Sequence, residues 1–125
     1  MKLLIHFGIY KAGSSYLQYI CANQKDYLIA KNIYFPESKE DEKMNKGLIS
    51  KGNSDGFEIA LKKEDTSKIN TLLKKWHRIA KQKKCNAVLI SAEALVHQLG
   101  QQRKLNLIVN SANSVGYTDI NAMGF

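Results

Sequence analysis

A chain of 125 residues, 44% apolar and with a formal net charge of +8, suits one folded domain with a modest core and excludes a disordered polar chain. No run of about 18 apolar residues occurs, so no helical membrane span is expected. The opening apolar run breaks at His6 without a small-residue cleavage site, which predicts a cytoplasmic protein rather than a secreted one. The excess of positive charge points to anionic partners such as phosphorylated cofactors, acidic glycans, nucleic acid or a membrane surface.

Residues 3–7 are a short apolar run that ends at Gly8, the pattern of a buried parallel strand. A helix is expected over 14–30, with Leu17, Ile20, Cys21, Gln24 and Leu28 on one side and Asn32 closing it in the left-handed conformation. Ile33 to Pro36 reads as a short extended piece, and Pro36 puts it at an edge or an exit. Residues 37–56 are rich in acids, then in Gly, Asn and Ser, which predicts a long mobile loop. Over 66–84, Ile69, Leu72, Leu73, Trp76, Ile79 and Ala80 repeat at helical spacing opposite a lysine-rich face, with Thr66 or Ser67 as the expected cap.

A second buried strand is expected at 86–91, a short helix at 92–99 broken by Gly100, and another helix around Leu105 to Ala112 closed by Gly116. Asp119 to Phe125 reads as the beginning of a third strand. Strands alternating with helices predict an α/β fold, a parallel sheet flanked by helices, in one domain over 1–125. Two strong strands and a fragment predict a thin, C-terminally truncated sheet, whose edge a second copy of the chain would cover. Cys21 and Cys85 lack metal-ligand spacing and read as free buried thiols.

The segment Gly8-Ile9-Tyr10-Lys11-Ala12-Gly13-Ser14-Ser15 falls between a strand and a helix. In such a turn backbone N–H groups converge, and the helix adds its unpaired N–H groups and positive dipole end, which makes an anion cradle. Lys11 supplies a full charge, Ser14 and Ser15 supply hydroxyl donors, and the glycines permit close approach. Gly8 and Gly13 have the spacing of the nucleoside-triphosphate loop G-x-x-x-x-G-K-[ST], but Ser14 stands where that pattern has lysine. A P-loop kinase-like enzyme using ATP therefore remains as an alternative. A further alternative is a non-catalytic binder of polyanions through Lys62, Lys63, Lys68, Lys74, Lys75, Arg78, Lys81, Lys83 and Lys84. Nucleic acid is disfavoured there, because Trp76 is the sole aromatic residue of α-helical stretch 66–84 and it lies in the apolar stripe.

The run His6-Phe-Gly-Ile-Tyr-Lys11-Ala-Gly-Ser-Ser-Tyr-Leu-Gln18 resembles the opening motif of sulfotransferases that use 3′-phosphoadenosine 5′-phosphosulfate (PAPS). Their loop reads lysine, any residue, glycine and two hydroxyl residues. Lys31-Asn-Ile-Tyr-Phe-Pro36 and Val88-Leu-Ile-Ser91-Ala92-Glu93 extend the resemblance, which spans most of residues 2–117. It implies a P-loop, nucleotide-kinase-like fold and transfer of a sulfuryl group to a hydroxyl or amine of a glycan or small metabolite. It implies that Tyr10, Lys11, Ala12, Gly13, Ser14, Ser15 and Ser91 bind the cofactor, with Lys11 on the bridging oxygen of the phosphosulfate. Glu93 is the candidate base and, with Lys11, the catalytic pair; no metal is called for. His97, four residues beyond Glu93, reads as a surface residue, and His6 as a core histidine. The family's arginine and serine for the 3′-phosphate have no match here, since Arg78 and Arg103 fall elsewhere. The resemblance thus implies half of a cofactor site.

Overall fold

The computed structural model describes residues 1–7, 14–48, 52–92 and 95–124, with side chains in the first helix from Leu17 onward. Four strands, β1 (Lys2–Phe7), β2 (Ile33–Tyr34), β3 (Ala87–Ser91) and β4 (Asp119–Gly124), form an all-parallel sheet in the order β2-β3-β1-β4. The chain is thus α/β, with helices on both faces. The last segment is a strand, as expected, and it pairs with β1 from Lys2↔Asp119 to Phe7↔Gly124.

Alternation along the strands divides the core in two. Leu3, Ile5, Val88 and Ile90 face one side, where they meet Ile69, Leu73, Trp76, Ile108 and Ala112. Leu4 and Leu89 face the other, where they meet Leu17, Cys21, Phe35 and Met44. The first side is covered by α4 (Phe57–Lys62), α5 (Thr66–Gln82), α6 (Leu95–Leu99) and α7 (Gln102–Val115). The second is covered by α1 (Ser14–Asn23), α2 (Lys25–Ala30) and α3 (Asp41–Asn45). Trp76 and Phe57 sit edge to face, with ring centroids 5.7 Å apart. Burying each such large side chain contributes about 1.5–3 kcal/mol. Cys21 and Cys85 are both free and buried, as their spacing predicts.

Several elements differ from expectation. The first helix is two: the backbone at Gln24 leaves helical geometry (φ −122°, ψ 34°). Ile20 on α1 is therefore 38% exposed rather than packed, and Gln24 is exposed too. Asn32 does close α2 in the left-handed region (φ +65°), and its carbonyl accepts from the N–H groups of Asn86 and Ala87. The α5 cap is Asp65, whose carboxylate accepts from Lys68 N at 3.1 Å, not Thr66 or Ser67. Helical backbone begins at Thr66, so the cap falls one residue earlier, and a carboxylate also suits the positive helix end.

The described residues of the stretch expected to be a mobile loop, 37–48 and 52–56, pack into the fold. They include α3, whose Met44 is buried, and Gly52 leads into fully buried Asn53 and Ser54. Lys25 and Asp41 join α2 to α3 at 2.9 Å. The sequence reading missed α4 altogether. Its carboxyl end is held from outside its own turn: Lys104 of α7, mostly buried, donates to the carbonyls of Leu61 and Lys62, both at 2.8 Å. A cation there complements both the orphan carbonyls and the negative helix end. Gly116 closes α7 as expected. No helix among the described residues is long and apolar enough to cross a membrane.

Candidate functional site

β1 lies between β3 and β4. The connection leaving β1 runs past β3 to β2, whereas the connection leaving β3 runs past β1 to β4. Two neighbouring strands whose connections depart in opposite directions leave a crevice at their carboxyl ends, the usual ligand position in open α/β sheets. His6 and Ser91, paired in register, are the residues at those ends.

Both are 1% exposed. They share the face of Leu4 and Leu89, so their side chains meet beneath α1. His6 Nδ1 lies 2.8 Å from Ser91 Oγ, and Gln18 Nε2 of α1 donates to the same oxygen at 3.2 Å. Ala92 N donates to His6 O at 3.0 Å and extends the β1–β3 ladder by one step. Burial keeps a substrate away from the Ser91 hydroxyl, so the His6–Ser91 contact is no nucleophile–base pair. What the network does is fix the end of β1, the end of β3 and the body of α1 relative to one another.

A second set of bonds fixes β3 from its other edge. β2 ends at Tyr34, opposite Val88, so β3 outruns it by three residues. Asn53 takes over from the missing strand. Its backbone N–H donates to Ser91 O at 2.9 Å. Its Oδ1 accepts from Ser91 N at 2.6 Å, and its Nδ2 donates to Leu89 O at 3.1 Å. One side chain thus satisfies the ladder groups of two strand residues, which buried backbone requires. Gly52 packs against the same strand end, with φ +84° and Ser91 O where a Cβ would stand.

Beside this strand end opens a groove of about 640 Å³ between α5 and the segment from Ser38 to Ile59. Gly52 and Ser54 line its inner side, and Lys68, Leu72 and Lys75 line its α5 side. Ser38 Oγ donates to Asp55 at 2.8 Å and Ser54 Oγ to Glu58 at 2.5 Å, so both carboxylates are held in place.

Among the expected site residues, Tyr10, Lys11, Ala12, Gly13 and Glu93 lie outside the described residues, as do the side chains of Ser14 and Ser15. Ser14 is the first residue of α1, so the Gly8–Gly13 segment joins the carboxyl end of β1 to the amino end of that helix. Ser91 stands at the strand end, buried against His6 and Gln18. His97 is exposed, and Arg103 pairs with Glu64 at 2.6 Å. Sequence reasoning missed Gly52 and Asn53. Their Gly-Asn-Ser run has loop composition, and no periodicity betrays a side chain acting as a strand.

Burial holds the pKa of His6 below its ordinary value. The unfolded chain therefore takes up the proton first as pH falls. The full contribution of neutral His6 is present above about pH 6.5, the unfolded value, and is lost as pH drops below it toward the folded value. We expect the urea midpoint to fall between pH 7.5 and 5, with the His6→Asn variant losing part of that slope; an unaltered slope would assign the proton uptake to other groups. Comparisons with protein-family models, with curated proteins and with solved structures give no match for this chain.

Proposed function

We propose that this chain is a sulfotransferase-like domain of the P-loop type, binding PAPS through Tyr10–Ser15 and directing sulfuryl transfer to a hydroxyl or amine acceptor. The observation that carries the reading is positional. In sequence the Lys11-Ala-Gly-Ser-Ser15 motif runs from the stretch that follows β1 into the first two residues of α1, and β1 and β3 are the neighbouring strands at the switch of the parallel sheet. Its fit to a phosphate rests on α1: the first turn of this ten-residue helix contains no acidic residue of its own to oppose an anion at the positive end.

When bound, the cofactor supplies an electrophilic sulfuryl group attached to a phosphate leaving group. Gly13 allows the backbone close to that phosphate, and Ser14 and Ser15 donate to it. The Lys11 ammonium opposes the negative charge that grows as the sulfur–oxygen bond breaks. Glu93, two residues beyond β3 in the sequence, would accept the proton that the acceptor loses as its oxygen or nitrogen bonds to sulfur. The His6–Ser91–Gln18 network holds the two strand ends and α1 in register.

Titration calorimetry with 3′-phosphoadenosine 5′-phosphate, beside ATP with magnesium, tests the reading. Saturable binding of the former is expected, weakened about 10- to 100-fold in Lys11→Ala, as loss of one charge-assisted bond predicts. Binding of ATP with magnesium alone would instead favour the kinase-like alternative. No binding of either ligand by the folded chain would refute both.

A further inference from the structure

Along α5, Lys68, Lys74, Lys75, Arg78 and Lys81 are all exposed. At helical spacing they fall within one arc, which they share only with Ser67, Thr71 and Gln82. The ion pairs among the described residues engage Lys25, Lys43, Lys46, Arg103 and Lys104, and none of these five. The face is thus a broad band of cations about 20 Å long, at about 1.5 Å per residue, outside every ion pair among the described residues.

What the face lacks narrows its partner. It carries no apolar residue to enter a bilayer interface and no aromatic ring on which a base could stack. What adjoins it narrows the partner further. Lys68 and Lys75 belong both to the band and to the wall of the groove. Within the groove, Asp55 and Glu58 are anchored by Ser38 and Ser54. Fixed carboxylates repel closely spaced phosphates, but they accept hydrogen bonds from sugar hydroxyls. Cations on one wall and hydroxyl acceptors on the other suit a chain that carries both acidic groups and hydroxyl-bearing rings.

We propose that the α5 face and the adjoining groove dock a linear acidic glycan, with its acidic groups on the lysine band and its hydroxyls in the groove. Gly52, which lines the groove, packs against Ser91 O, so only this residue's backbone separates a glycan seated there from the carboxyl end of β3. The docking surface stands on its own, and its assignment as the acceptor site rests on the sulfotransferase reading.

The experiment is calorimetric titration of the full chain with a heparin-derived octasaccharide. Its comparison ligands are an unsulfated neutral dextran of equal length, a 12-base-pair DNA duplex and phosphatidylserine vesicles. Salt-dependent binding of the octasaccharide is expected, at least tenfold tighter than that of the duplex, with neither dextran nor vesicles binding. The Lys68→Ala/Lys75→Ala variant should bind about tenfold more weakly, from two lost charge contacts. Lys31→Ala/Lys46→Ala, with the same change in net charge, should change binding less than twofold. An equal loss in both variants, or tighter binding of duplex or vesicles, would overturn the proposal. Titration of the same variants with 3′-phosphoadenosine 5′-phosphate separates the two readings. Failure of glycan binding with the nucleotide still bound removes only the docking surface, and the reverse removes only the transferase assignment.

Discussion

Gly52→Ala is expected to abolish the native fold or to expel the 52–54 segment from it. A Cβ at this position would stand 1.8 Å from Ser91 O, 2.7 Å from Ser91 C and 3.1 Å from Ala92 Cα. These are backbone atoms of β3 and the residue that follows it, held on one side by β1 and on the other by Asn53, so no flexible side chain can yield. The φ of +84° adds strain of about 1 kcal/mol for a residue with a Cβ. Relief requires moving the strand end or the loop, at a cost of at least about 4 kcal/mol, a large part of the stability of a domain this size. Gly56→Ala separates the two causes. Its φ is +87°, yet nothing lies within 4 Å of the added Cβ, so it should cost only about 1 kcal/mol. Urea denaturation followed by circular dichroism should show a small midpoint shift in Gly56→Ala and loss of the native baseline, or a midpoint drop several times larger, in Gly52→Ala. Similar shifts in the two would mean that the Ser91 contact yields easily.

The parts of this fold legible in the sequence are those where one residue type repeats with the period of one element. β1 and β3 read as strands because both of their faces are buried, which makes them continuous apolar runs. α5 reads as a helix because Ile69, Leu72, Leu73 and Trp76 recur on one side and lysines on the other. Asn32 and Gly116 announced the ends of α2 and α7 because few residues tolerate a positive φ. Where tertiary contacts replace local signals, the reading fails. α4 is six residues long, and Lys104, forty-two positions beyond its last residue, holds its carboxyl end. The break at Gln24 leaves no Gly or Pro to mark it. The candidate site divides in the same way. The loop motif is read from local sequence and lies outside the described residues, whereas the network at the adjoining strand ends joins His6, Gln18, Asn53 and Ser91 across 85 positions of chain. No local pattern reports such a constellation.

Asn53→Ala tests whether that network governs the strand end. The substitution leaves the Asn53 N–H to Ser91 O bond in place, but it removes the acceptor of Ser91 N and the donor to Leu89 O. Two buried backbone groups then lose their partners on the side where β2 has already ended. At about 1–3 kcal/mol for each orphaned buried group, a destabilisation of about 2–6 kcal/mol is expected. The loss should be local before it is global. Amide exchange at Ser91 and Ala92 should accelerate more than at Leu72 and Leu73 in the middle of α5, because only the strand end has lost its brace. Asn53→Asp keeps an acceptor for Ser91 N but replaces the Leu89 donor with oxygen and buries a carboxyl, so it should rescue little. If exchange rose uniformly in Asn53→Ala, the strand end would be unfolding only with the whole domain. If it rose first at Ser91, then the end of β3, the inner wall of the groove and the register of His6 beneath α1 would respond as one unit. A ligand seated at the carboxyl edge of the sheet would then stiffen that unit, and the protection it restored at Ser91 would report its arrival there.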